Sequence, residues 1–326
     1  MKNRQRYFER GFSLVEMIIS IAIGLLIVAA LIGVLTSNSR SSKTNDRSTE
    51  LQSNGRYALD HLKRGIRQAG YRGYSWADPN IPTTTITPIT DECLGAGASA
   101  GSFVSNLRQG IWGADDSNPY SGNCLATGYL RGDVLVIRKL ATSPLRTISP
   151  VENTVADTLY FRSSYSAGEV FKGTGAAPLT GAPAISGAPQ ADFALQEYVY
   201  YIGSDDNNAA IPALRRRSLV GSAMVDEMVV SGIEDMQVQY GRLDTATNTQ
   251  YWDASNINGA STDTTATLSS YAWNEVKSVR IWLLARTAKR ENGYRNTTSY
   301  VMGDQTYTVN DNFRRQLFTA VIQLRN

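Results

Sequence analysis

Histidine is nearly absent from this chain: its 326 residues contain one, His61, beside two cysteines, Cys93 and Cys124. That leaves too few nitrogen and sulfur donors for a zinc site, since His61 lies on a predicted helix far from either cysteine. Dinucleotide chemistry is unsupported: Gly173-Thr174-Gly175 lacks the third glycine of the fingerprint, and no P-loop lysine motif occurs. Gly97-Ala98-Ser99-Ala100-Gly101 has G-x-S-x-G spacing. A nucleophile elbow needs a strand before it, a helix after it and a later histidine, whereas here the surroundings are Gly/Ala/Ser loop and His61 comes first. No basic run is interleaved with aromatics, so nucleic acid is not an expected partner. The one triplet, Arg215-Arg216-Arg217, reads as a solvated strand edge. Asp205-Asp206-Asn207-Asn208 and Asp311-Asn312 carry calcium-type oxygens without EF-hand spacing and read as polar turns. Arg131-Gly132-Asp133 reads as the turn into a strand at Val134. No internal repeat is evident. The expectation is a protein without a catalytic site, metal, cofactor or small-molecule substrate.

Net basicity is also missing once the chain is divided. It carries 32 basic and 29 acidic residues. Residues 1–11 hold four of the former (Lys2, Arg4, Arg6, Arg10) and one of the latter (Glu9), so the remainder is formally neutral at 28 and 28. Beyond this basic segment, Met17 to Leu35 form a run without charge. As a helix, Phe12 to Leu35 would extend about 36 Å at about 1.5 Å per residue, against a hydrocarbon core of about 30 Å. Apolar residues occupy every side of it, which argues against a buried helix of a soluble protein. No small-x-small cleavage site lies near Leu35, and the run is long for a signal core, so the segment is expected to stay attached. Basic residues flank both ends, so the positive-inside rule favours a cytoplasmic N-terminus only weakly. Glu16 heads the run. An acid at a membrane helix centre costs about 2.5–3.5 kcal/mol, less near the interface. One explanation is local: Ser13-Leu14-Val15-Glu16 fits the S-x-x-E capping box, and the helix dipole favours an acid there.

The helix is predicted to continue, polar from Thr36 to Thr49 and then amphipathic. Leu51, Ala58, Leu62, Ile66 and Ala69 fall on one face, and Gly70-Tyr71-Arg72-Gly73 marks its end. Gly55 and Gly65 weaken it locally. Ser20/Gly24 and Ala29/Gly33 are small-xxx-small pairs, consistent with close helix approach or with chance. Beyond residue 70 the chain reads as β-rich. Met236, Val238 and Tyr240 alternate with Gln237, Gln239 and Gly241 as a half-buried strand; Val279 to Arg286 and Phe318 to Leu324 behave similarly. Asp133 to Leu140, Thr158 to Arg162 and Glu197 to Ile202 are further strands. Pro79 to Cys124, Gly173 to Gln190 and Thr245 to Ser270 read as loops, the last two exposed or mobile. An even cysteine count in an exported chain suggests a Cys93–Cys124 disulfide, contributing about 3–4 kcal/mol by loop closure; two free thiols are the alternative.

Gly11-Phe12-Ser13-Leu14-Val15-Glu16 and the apolar run resemble the type III signal of type IV pilins and type II secretion pseudopilins. Val230 to Gly241, Val276 to Arg286 and Phe313 to Asn326 look like the C-terminal sheet of PilW-type minor pilins. The resemblance implies an α+β fold, with a long N-terminal helix packed on a β-rich globular domain. It divides the chain into a prepilin leader (1–11), a transmembrane and filament-core helix (12–35), an amphipathic helix (36–70) and a periplasmic body (71–326). A prepilin peptidase would cut after Gly11, Phe12 would be N-methylated, and Glu16 would pair with the amine of a neighbouring subunit. Implied partners are other minor pilins, the major pilin and a tip adhesin. The implied location is the bacterial inner membrane, N-terminus cytoplasmic, and then the pilus fibre. Implied roles are priming of pilus assembly, twitching motility and adhesion. A GspJ-like minor pseudopilin is the alternative; a membrane-anchored periplasmic enzyme or binding protein is a third reading.

Overall fold

The computed structural model describes residues 11, 13–75, 86–125, 128–180, 185–244, 248–257 and 273–325. Helix α1 runs from Leu14 to Arg67. The chain forms two compact units, residues 1–50 and 51–326. The described part of the first is helix alone. In the second, the last turns of α1 bury Leu51, Gly55, Ala58, Leu59, Leu62 and Ile66. These repeat at the three- and four-residue spacing that keeps one face inward. Leu59 belongs to that face, while Tyr57 points outward. Gly55 lies against the Phe318 ring; a Cβ there would come 2.1 Å from it, so the glycine permits a close packing contact.

Seven strands make the larger sheet: β1 (Ile111–Ala114), β2 (Arg131–Leu140), β3 (Leu159–Ser163), β4 (Gly168–Lys172), β5 (Ala191–Ser204), β6 (Pro212–Val220) and β7 (Ala223–Ser231). A short helix, α2 (Ser102–Ser105), precedes β1. β5 organises the sheet. One edge pairs with β2 from Leu195 to Ile202, and beyond Leu140 the chain continues along that edge through Ala141 N–H to Ala194 O and Leu145 N–H to Asp192 O. The other edge is shared: residues 191–194 pair with β3 and residues 198–204 with β6. The order is β1-β2-β5-β3-β4, with β7 added through β6, all pairings antiparallel.

Gly232 separates β7 from β8 (Ile233–Asp244) and has a φ of 81°, a left-handed conformation that glycine adopts without steric cost. Its N–H bonds Pro212 O, and its carbonyl accepts from Arg286 N–H, each at 2.7 Å, so one residue hands the chain from one sheet to the next. The second sheet comprises β8, β9 (Asn248–Asp253) and β10 (Ser278–Arg286). Following the two-stranded hairpin β11 (Ser299–Met302) and β12 (Gln305–Thr308), β13 (Arg315–Gln323) completes it in the order β13-β10-β8-β9. One core cluster joins α1 and both sheets. The architecture is α+β, an N-terminal helix on a β-rich domain.

Several expectations need correction. The region 79–124 is not simply loop: it contains α2 and β1, and it buries Ile86, Ile89, Phe103, Val104 and Leu107. Within 245–270, residues 248–253 form β9 and Ala254–Asn256 a 3-10 turn; residues 258–270 lie outside the described residues. The strand at 236–240 is buried on both faces rather than one, since Gln237 is also enclosed. A hairpin covers its polar face: a Cβ at Gly303 would lie 3.5 Å from Trp282 and 3.7 Å from Gln239. Arg215–Arg217 is no strand edge, because β6 lies between β5 and β7.

Candidate assembly site

Ser13 precedes α1 and its carbonyl accepts the first helical bond, from Met17 N–H at 3.1 Å. Gly11 and Glu16 are exposed, and Phe12 lies outside the described residues. Large apolar side chains from Leu14 to Leu35 are all at least half exposed, against almost complete burial of the core residues from Leu51 onward. This helix is long and apolar enough to cross a membrane. It offers water the surface a folded protein normally removes from it, and burying such surface is worth about 25 cal/mol per Å². One acid, Glu16, interrupts it. Ser20 bonds its hydroxyl back to Glu16 O at 2.8 Å, a local way for a helical serine to satisfy its donor. Gly24 and Gly33 have open space where a side chain would stand.

Cys93 and Cys124 form a disulfide across 31 positions, both sulfurs inside the core. The loop it closes is pinned by charge. Glu92 accepts Gly101 N–H at 2.7 Å and Phe103 N–H at 3.0 Å. Arg138, buried in β2, donates to Phe103 O at 3.0 Å and Gln109 O at 3.1 Å and stacks 4.4 Å from the Phe103 ring. The G-x-S-x-G stretch is thus a loop folded onto a carboxylate, with Ser99 exposed and Gly101 at a φ of 83°. Opposite Arg138 sits Glu197, whose two oxygens are buried without a hydrogen-bond partner, 4.0 Å from Arg138 Nε at the nearest. Burial pushes its carboxyl up to about 8; Arg138 opposes the shift and Glu92 adds to it.

The other residues singled out from sequence have structural partners. His61 Nε2 lies 3.2 Å from the Tyr200 hydroxyl and accepts from Arg216 at 3.3 Å; burial first, then Arg216, lowers its pKa. Arg215 reaches Asp226 and Asp206, and Arg216 reaches Glu227. Arg217 donates to the carbonyls of Met224 and Asn123. Asp205 accepts from Asn207 and Asn208 N–H in a turn, and Asp311 pairs with Arg315. Arg131-Gly132-Asp133 opens β2 itself rather than preceding it, and Asp133 is buried, bonded by Val238 N–H at 2.6 Å. The long-range pairings, His61 with Tyr200 and Arg216 and Asp133 with Val238, have no signal in the sequence, because their partners lie more than 100 positions away.

Residues 6–32 match the family model for the prokaryotic N-terminal methylation motif. Residues 199–326, from the second half of β5 through the four-stranded sheet, match the model for Type IV Pilus-assembly protein W. No curated protein and no solved structure matches the chain. Both matched models describe pilin-type structural parts, in keeping with a non-enzymatic protein, and the pseudopilin alternative is not favoured. The two matches, one near each end of the sequence, point to a PilW-type minor pilin involved in type IV pilus assembly.

Proposed function

We propose that Gly11 is the residue after which a prepilin peptidase cuts, that Phe12 becomes the methylated N-terminus, and that Glu16 then receives the amine of an adjacent subunit. The observation that carries this reading is the single carboxylate at the head of the otherwise apolar, exposed stretch Leu14–Leu35 of the helix. An amine and a carboxylate about 4 Å apart attract by about 4 kcal/mol at an effective dielectric of 20, and each is costly if left alone among hydrocarbon. The pair therefore favours assembled over free subunits, and one axial register over others.

Residues 1–11 serve as leader on this reading, 12–35 first as membrane anchor and then as filament core, and 36–70 as the amphipathic link to a periplasmic body of residues 71–326. The N-terminus faces the cytoplasm before cleavage. The protein packs with other minor pilins in a complex that primes growth of the major pilin and stays near the pilus tip beside an adhesin. Its large body suits a terminal place better than repeated insertion along a shaft. Twitching and adhesion would depend on it through assembly. Mass spectrometry of sheared surface filaments and of inner membranes tests the proposal: a peptide beginning with methylated Phe12 in the filament fraction supports it. Recovery only of a form that retains Met1 would overturn it.

A further inference from the structure

His61 is the one histidine of the chain, and it sits where α1 meets the larger sheet. Its Nε2 lies 3.2 Å from the Tyr200 hydroxyl of β5 and 3.3 Å from Nη1 of Arg216 on β6. A guanidinium can only donate, so Nε2 is the bare nitrogen and the ring proton sits on Nδ1. The contact therefore requires a neutral imidazole.

Arg216 is not free to withdraw. Its Nε and Nη2 both donate to Glu227 Oε1 of β7, the first at 2.7 Å, and Ser218 Oγ donates to the same oxygen at 2.6 Å. Its guanidinium also lies 4.7 Å from the Tyr198 ring centroid. Held from two sides, Arg216 presents Nη1 to the helix. α1 has no slack either: one turn on from His61, a Cβ at Gly65 would come 3.1 Å from Ile137 Cδ1 of β2.

Protonating the ring would affect the two contacts differently. Tyr200 can turn its hydroxyl and accept from Nε2–H, whereas Arg216 would meet an N–H with an N–H and a cation with a cation. The charged groups that act on the ring are Arg216, Arg64 on α1 itself, and Glu227, with Tyr57 and Tyr200 as its aromatic neighbours. Lys139 of β2, across the Tyr198 ring, adds a further cation beside Arg216. Glu227 is already paired with Arg216. Burial first, then Arg216 and Arg64, lowers the His61 pKa; Glu227 opposes. A base lowered in this way contributes stability that is complete above its unfolded value of about 6.5 and is lost as pH falls through the folded value.

We propose that the contact at His61 is an acid-sensitive latch: the neutral ring accepts from Arg216 and ties the last turns of α1 to β5 and β6, and protonation breaks that bond and loosens those turns. Leu59, Leu62 and Ile66 remain buried beside it, so acid loosens the helix locally and leaves the body folded. The latch is independent of cleavage after Gly11 and of filament entry.

The test uses the full chain in detergent, purified without a histidine tag. With ring-labelled histidine, one NMR resonance reports His61 alone. Its titration midpoint is expected below about 6.5, and Arg216→Met should move it upward. Hydrogen exchange of amides 58–66, corrected for the intrinsic rate, should be at least about threefold faster at pH 5 than at pH 7. His61→Gln keeps an acceptor for Arg216 but does not titrate, so it should abolish that acceleration, and it keeps the test decisive if Arg216→Met disturbs the sheet. The comparison also separates His61 from Glu197, which both proteins retain. A wild-type midpoint at or above about 6.5, a midpoint unmoved in Arg216→Met, no acceleration in the wild type, or equal acceleration in His61→Gln would each overturn the proposal.

Discussion

Removing the disulfide gives the most direct measure of how the middle of the chain is held. The bridge closes a loop across 31 positions. The chain-entropy relation assigns such a loop about 3.7 kcal/mol at 25 °C. Substituting serine would confuse the result, because both cysteines are buried and two unsatisfied hydroxyls would add about 1–3 kcal/mol each. Cys93→Ala/Cys124→Ala avoids this and leaves only a small packing loss. For a body of this size, about 1 kcal/mol moves Tm by about 2–4 °C, so the double variant should melt about 7–15 °C below the parent. Each single variant should lose nearly as much as the pair, because either one opens the loop. Thermal melts of the detergent-solubilised chain, with and without reductant, provide the assay. A double-variant drop under 3 °C would refute the reasoning. It would mean that Glu92 and Arg138, which bond Gly101, Phe103 and Gln109, already restrict the loop without the covalent link.

Gly110→Ala should cost about 2–4 kcal/mol in denaturant unfolding, because its Cβ would stand 2.3 Å from Gly70 Cα, backbone that cannot swing aside; a loss under 0.5 kcal/mol would contradict this close approach. Glu197 titrates higher in the folded chain, near 8, than unfolded, near 4.5. Its contribution to stability is therefore complete below about pH 4.5 and is lost as pH rises through 8, at up to about 1.4 kcal/mol per unit. Glu197→Gln should flatten the wild-type decline between pH 5 and pH 8 in urea melts, and an unchanged slope would refute the assignment. Glu16→Ala should leave cleavage after Gly11 intact yet lower recovery in sheared filaments at least tenfold; normal recovery would remove Glu16 from assembly.

The elements most legible in the sequence were those whose signal is local. The alternation at Val279, Ile281, Leu283 and Ala285 located β10, and the three- and four-residue spacing from Leu51 to Ile66 located the buried face of α1. β7 escaped, and β6 read as a solvated edge, because the sequence there is charged: Arg215, Arg216 and Arg217 look like a surface until Asp226, Glu227 and two carbonyls are brought beside them. Ile111–Ala114 escaped because four residues are too short to show a period. Gly55 read as a weak point in a helix and is instead the socket for Phe318.

The sequence by itself determined the long helix, the isolated carboxylate at its head and the β-rich character of the body beyond it. Those depend on hydrophobic order among near neighbours, and on a motif read over six residues. Only the tertiary structure decided which buried charges are satisfied and which are left over. Gln237 and Asp116 are 121 positions apart and meet because Gly232 passes the chain from one sheet to the next and a hairpin roofs the second. Charge partners are chosen by strand neighbours, and strand neighbours are fixed by the packing of the whole body rather than by any local stretch of it.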